Sequence, residues 1–241
     1  MTDLTISAAA GSEVGNRYQA NFDVVHLSVE PLLAVIADGM GDGLGSALAG
    51  RTAVDTFVER IADAEGAADA GALRDAVAVA QQRVGDIGRQ VEGLAGCTLT
   101  ALVASGDGFW IAQIGDSRLY RLRDGLLELL TVDHTMAWLG AVHGWYPFDS
   151  AQAASARYHL TRYVGHAAQP EPDVMSVVPS PADVFLLCSD GVAEQVPYDR
   201  IRDILGQRSS PQVMVQQLLA AAEAAGGRDN ATAIVVTIAT R

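Results

Sequence analysis

With 241 residues, 49% of them hydrophobic, the chain is long enough for one large core or two small ones, and no run of about 18 apolar residues offers a membrane span. The formal charge of −13 excludes the backbone of a nucleic acid as partner, and all 16 basic residues are arginine. Without lysine there is no Walker A grip, no pyridoxal Schiff base and no kinase-type phosphate lysine.

The opening stretch, MTDLTISAAAGSEVG, lacks the basic and apolar regions of a secretory signal. Segments rich in Val, Leu and Ile predict strands over about 4–9, 22–29 and 31–37. A helix is expected over 45–63, where Val54, Phe57, Val58 and Ile61 share a face. A second is expected over 70–92, with Leu73, Val77, Ala80, Val84, Ile87 and Val91 inward and Arg74, Gln81, Arg89 and Gln90 outward. Gly66 and a short loop between them predict an antiparallel helix pair. A hairpin region follows, with strands over about 97–104, 109–114, 118–123 and 126–131. Its turns are Gly106-Asp107-Gly108, Gly115-Asp116 and Asp124-Gly125.

Residues 133–170 are weakly patterned, with Trp138, Trp145, Tyr146 and Phe148 around Gly140 and Gly144, and read as a flap. Two strands are then expected over 173–178 and 183–188, helices over 197–205 and 211–225, and a strand over 231–239. Hairpins outnumber strand–helix–strand alternation, which predicts antiparallel sheets with helices packed outside them. No Pro- or Ser-rich linker or repeat divides the chain, so 1–241 reads as a single domain. Cys97 and Cys188 lie in apolar runs and read as core thiols of a reducing, cytoplasmic compartment.

Five aspartates, Asp23, Asp38, Asp116, Asp190 and Asp229, each sit where an apolar run meets a turn. Taken singly, each is better read as a turn residue, and only their combined pattern overturns that reading. Carboxylates that converge from several strand ends repel unless cations neutralise them, and an oxygen-only set suits magnesium or manganese. His143, His159 and His166 lack the spacing of a zinc site.

The stretches GNRYQANFD, IADGMGDGLGS, CTLTALV, IAQIGDSRLYRLRDGLLELLTVDHT, LLCSDGV and GGRDNATAIVV together resemble the metal-dependent serine/threonine protein phosphatases of type 2C, the PPM family, bacterial type, in that family's order. The resemblance implies an α+β fold, a four-layer α-β-β-α sandwich of two antiparallel sheets flanked by helix pairs. It implies hydrolysis of phosphoserine and phosphothreonine in proteins phosphorylated by a serine/threonine kinase, with two core Mn2+ or Mg2+ ions and a third, weaker one. By the same resemblance Asp38 bridges two metals and the Gly39 carbonyl binds one of them. Asp190 and Asp229 hold the other, Asp23 contributes at the edge, and Asp116 with Asp190 binds the third. Arg17 grips the phosphate, for which a planar guanidinium offers two parallel hydrogen bonds.

The chain departs from the family in its first two motifs. Arg17 lies six residues before Asp23 where the family has five, and Phe22 replaces a Glu or Gln. DGMGDGLGS lacks the Gly-Gly-His and following Glu, Met40 stands where animal members carry histidine, and Asp42 reads as an exposed loop carboxylate. His134 is expected to fix the flap, Arg118 to pair with a carboxylate and Arg162 to give structural support. Two other readings are a catalytically impaired member that binds phosphoproteins or a regulator, and a phosphatase for a small metabolite.

Overall fold

The runs LLAVIA and ATAIVV are apolar at every position, and each forms an inner strand with both faces covered. The computed structural model describes residues 4–64, 68–91, 93–106 and 108–240. In chain order its first half comprises β1 (Leu4–Glu13), β2 (Asp23–Val29), β3 (Leu32–Asp38), α1 (Leu44–Ala62), α2 (Ala70–Gly88), β4 (Leu99–Ser105), β5 (Gly108–Ile114), β6 (Arg118–Arg123) and β7 (Leu126–Leu129). Then come α3 (Met136–Val142), α4 (Ala151–Ala156), β8 (Asp173–Val177), β9 (Val184–Cys188), α5 (Asp190–Ala193), α6 (Tyr198–Leu205), α7 (Pro211–Ala224) and β10 (Ala231–Thr240).

The strands make two antiparallel five-stranded sheets, ordered β1-β10-β9-β6-β7 and β2-β3-β4-β5-β8. Strand periodicity sorts the core into three layers. Leu33, Val35 and Ala37 of β3 face α1 and α2, where Phe57, Leu73 and Val77 are fully buried. Leu32, Ala34 and Ile36 face the other sheet and share a layer with Phe185, Leu187, Ile234 and Val236. Ala233 and Val235 of β10 turn outward to Val215, Leu218 and Ala222 of α7. Cys97 and Cys188 are both free and buried in these layers. The four-layer sandwich is present.

Three expectations are corrected. Gly115-Asp116 is no hairpin turn: β5 and β6 belong to different sheets, and the chain crosses the sandwich there. Gly115 has φ +111°, and a Cβ on it would sit 2.6 Å from the Thr98 side chain, so only glycine makes this crossing. The second helix ends at Gly88 instead of 92. Gly85 and Gly88 weaken its last turns, and Ile87 and Val91 are only partly buried, so packing does not hold it longer. The segment 133–170 is more regular than its pattern, because Thr135 Oγ1 accepts from Trp138 N (3.2 Å) and Ser150 Oγ from Ala153 N (3.1 Å), capping α3 and α4. These helices are too short for a period to show. Gly66 and Asp107 lie outside the described residues.

Phe185 stands between the sheets, fully buried and edge-on to Phe109 at 5.6 Å between centroids. Phe185→Ala is expected to cost about 3–5 kcal/mol of stability, measured by urea unfolding of the metal-free protein.

Candidate metal centre

The strand pairing that builds the core also sets carboxylates against each other. Asp23 and Asp38 are direct partners across β2 and β3 at the end of the sheet, an arrangement that like charges disfavour. Asp190 opens α5 immediately after β9, Asp116 lies in the crossing between the sheets, and Asp229 ends the turn before β10. Asp38, Asp116, Asp190 and Asp229 line one cleft of about 380 Å³, together with Arg17 and Tyr18. Gly39 and Met40 form part of its wall, whereas Asp42 is exposed on the loop beyond. Asp23 sits behind Asp38, its Oδ2 accepting from Ser189 Oγ at 2.8 Å.

Four of the carboxylates open onto the cleft and all five are largely enclosed by protein. Burial raises all five carboxyl pKa values, and neighbouring carboxylates add to it at Asp23, Asp38, Asp116 and Asp190. Asp23 is pushed up to about 6 by burial, against hydrogen bonds from Thr232 and Ser189. Asp116 is pushed up to about 7 by burial and then by Asp133 and Glu194. Asp38 and Asp190 rise furthest, through burial and then the surrounding carboxylates. Among the described residues, Asp23 Oδ1 and Asp190 Oδ1 are buried without a hydrogen-bond partner.

The donors are oxygens only. The nearest thiols, Cys97 and Cys188, are raised by burial and remain protonated, and His134 is engaged elsewhere. Among the described residues no three His, Cys, Asp or Glu side chains close on one point as a preformed ligand set. Buried carboxylates, orphaned oxygens and a wall of spread donors fit hard divalent cations whose shells are completed by water. They do not fit zinc.

Neutral side chains hold the wall in place. Thr98 Oγ1 accepts from the Asp38 N–H (2.9 Å) and bonds Ser117 Oγ (2.7 Å). Ser189 Oγ accepts from Thr232 N at 3.0 Å while donating to Asp23. Asn230 Oδ1 accepts from Phe22 N (2.8 Å), and its amide donates to Val14 O (2.7 Å) and Ala20 O (3.1 Å). The loop carrying Arg17 is thereby tied to the turn carrying Asp229. Gly15, at φ +74°, belongs to the same seam: a Cβ there would lie 2.3 Å from Asp229 O.

Arg118 binds Asp133 through two hydrogen bonds, 2.9 and 2.6 Å, and Arg162 grips Asp173 (2.8 and 3.2 Å). His134 Nδ1 accepts from the Gly115 N–H (3.1 Å), so Nε2 carries the proton toward Asp173 Oδ2 (3.0 Å). Burial holds its pKa below the usual histidine range. This chain fastens the base of the segment 133–170 to the crossing that carries Asp116. Of the aromatics, Tyr146 packs against Gly140 and donates to Met136 O (2.5 Å), while Trp138 and Trp145 are exposed outside the cleft. Thr98, Ser189 and Asn230 stand inside the recognised motifs without distinctive spacing. Leu94, also in the cleft wall, carries no signal in the sequence.

Residues 12–225 match the family model for protein phosphatase 2C. The chain belongs to the protein phosphatase 2C family. It is similar to the serine/threonine protein phosphatase PstP of Mycobacterium tuberculosis, 30% identical over 98% of this chain and 45% of that longer protein. The Mycobacterium smegmatis PPM phosphatase MsPP, solved with cacodylate, superposes with a TM-score of 0.85 at 33% identity, over 96% of this chain and 97% of that one. The catalytic domain of PstP with two manganese ions gives a TM-score of 0.85 at 28% identity, covering 98% and 99% of the two chains. This protein phosphatase 2C is thus a metal-dependent protein phosphatase.

The carboxyl shifts give the metal-free enzyme a definite pH dependence. Asp23 and Asp116 keep protons in the fold up to about 6 and 7, whereas the unfolded chain releases them near about 4. Their contribution is fully present below the unfolded value and is lost as pH rises through the folded ones. The melting temperature in chelator should therefore fall as pH rises from about 5 to about 8. Asp38→Asn, by removing one charge from the cluster, should melt above the wild type at the upper end of that range, as differential scanning fluorimetry will read.

Proposed function

We propose that this enzyme hydrolyses phosphoserine and phosphothreonine in proteins at a pair of Mn2+ or Mg2+ ions, with room for a third. The observation that carries this reading is the convergence of Asp38, Asp116, Asp190 and Asp229 on one cleft that Arg17 also lines. When bound, two such ions supply an acidified water as nucleophile and neutralise charge on the phosphoryl oxygens. Asp38 would help hold both ions, and the Gly39 carbonyl one of them. Asp190 and Asp229 hold the other, Asp23 braces the edge through Ser189, and Asp116 with Asp190 serves the third.

Arg17 is the phosphate ligand. Among the described residues it is the one guanidinium lining the cleft, and its paired N–H groups match two phosphoryl oxygens. The whole chain acts as one catalytic domain, and the segment 133–170 forms a flap whose Tyr158 and Leu160 border the cleft where flanking polypeptide would lie. The substrates are cytoplasmic targets of a serine/threonine kinase, in a compartment where the two buried thiols stay reduced. A non-catalytic binder would gain nothing from so costly a carboxylate cluster, which supports the hydrolytic reading over the degenerate one.

Phosphate release from a phosphothreonine peptide should vanish in excess chelator and return with manganese better than with calcium or zinc. Turnover that persists in chelator would overturn the assignment. Arg17→Ala should raise KM for aryl phosphate roughly ten- to a hundredfold, the loss of about 1.5–3 kcal/mol of charged hydrogen bonding, with manganese affinity unchanged by calorimetry.

A further inference from the structure

The first motif departs from the family at Phe22, in place of a polar residue, and by an additional residue between Arg17 and Asp23; Tyr18 lies in this stretch. Phe22 is buried, and its backbone N–H is held by Asn230 Oδ1 at 2.8 Å. The Tyr18 ring stands edge-on to the Phe22 ring, centroids 6.2 Å apart and planes at 90°. Over its face lies the Arg17 guanidinium, with Cζ 4.9 Å from the centroid. Tyr18 lines the same cleft as Asp38, Asp190 and Asp229. Among the described residues no carboxylate comes within salt-bridge distance of Arg17, which is exposed.

We propose that Tyr18 is a positioning residue for phosphate binding, its ring, braced by Phe22, forming the platform that holds the Arg17 guanidinium at the cleft. The inference rests on Arg17 as the phosphate ligand. An exposed arginine loses rotamer freedom when substrate fixes it, and a π face that attracts the guanidinium beforehand lowers that cost. A carboxylate would hold the arginine too, but it would occupy the N–H groups that phosphate needs and add charge to a cleft already crowded with carboxylates. A ring engages only the face of the guanidinium and leaves its hydrogen-bonding edge free.

The test compares KM for aryl phosphate, with manganese saturating, across Tyr18→Leu, Tyr18→Phe, Tyr18→Trp, Arg17→Ala and the double variant Arg17→Ala/Tyr18→Leu. Tyr18→Leu should raise KM about two- to fivefold with kcat and manganese affinity unchanged, and Phe or Trp at the position should restore it. Adding Tyr18→Leu to Arg17→Ala should cost nothing more, because the platform has lost what it carries. A KM unmoved by Tyr18→Leu, while Arg17→Ala raises it, would overturn the platform and leave the phosphate reading standing. A full Tyr18→Leu penalty on the Arg17→Ala background would overturn it in favour of direct substrate contact. Equal damage from Tyr18→Phe would assign the effect to the hydroxyl instead. If Arg17→Ala itself leaves KM unchanged, the phosphate role of Arg17 fails and the platform falls with it.

Discussion

The architecture answers one electrostatic problem: carboxylates must be held together in a partly dry place against their own repulsion. Asp23 and Asp38 oppose each other across a strand pair, and Asp190, following β9 of the other sheet, lines the same cleft as Asp38. Nothing local favours such an arrangement, so rigidity has to come from behind it. The three apolar layers supply that rigidity, since β3, β9 and β10 are buried on both faces and cannot shift register without turning a core face to solvent. Neutral hydroxyls and an amide then fix the backbone around the carboxylates without cancelling their charge. The arginines conform to the same rule. Arg118 and Arg162 are drawn off by Asp133 and Asp173, so the cluster keeps the negative potential that recruits cations.

Much of this was legible in the residues. Apolar runs with strand periodicity gave the sheets, the alternation at Val54, Phe57 and Ile61 gave α1, and Ser210-Pro211 marked the start of α7. The aspartates were visible because Asp-Gly and Asp-Asn turns at strand ends recur in a recognisable order. Four of the five line one cleft and the fifth stands directly behind it.

What escaped depends on tertiary packing or on single hydrogen bonds. A turn signal such as Gly115-Asp116 reports that the chain bends, but not whether the next strand joins the same sheet. That was decided by where Leu119 and Ile114 find apolar partners, in different layers. The capped helices α3 and α4 span only 7 and 6 residues, too few for a hydrophobic period. Thr98, Ser189 and Asn230 act through partners 60, 166 and 208 positions away, separations that no local pattern encodes. Phe22 looked like a loss in the sequence; beside the Tyr18 ring it is an exchange of polar for aromatic support.

The position of β10 has a consequence for biosynthesis. It lies between β1 and β9, so the opening strand of the sequence has no partner in its sheet until the last one arrives. Asn230, at its threshold, is also the anchor for Phe22 and the loop that bears Arg17. A nascent chain emerging from the ribosome can therefore collapse its first helices onto β2, β3 and β4 while its catalytic parts remain scattered. The cleft residues around 17–23 and 229–230 come together only once β10 is seated between its two neighbours. A chain lacking that strand would leave β1 unpaired in its sheet and Phe22 without its Asn230 anchor.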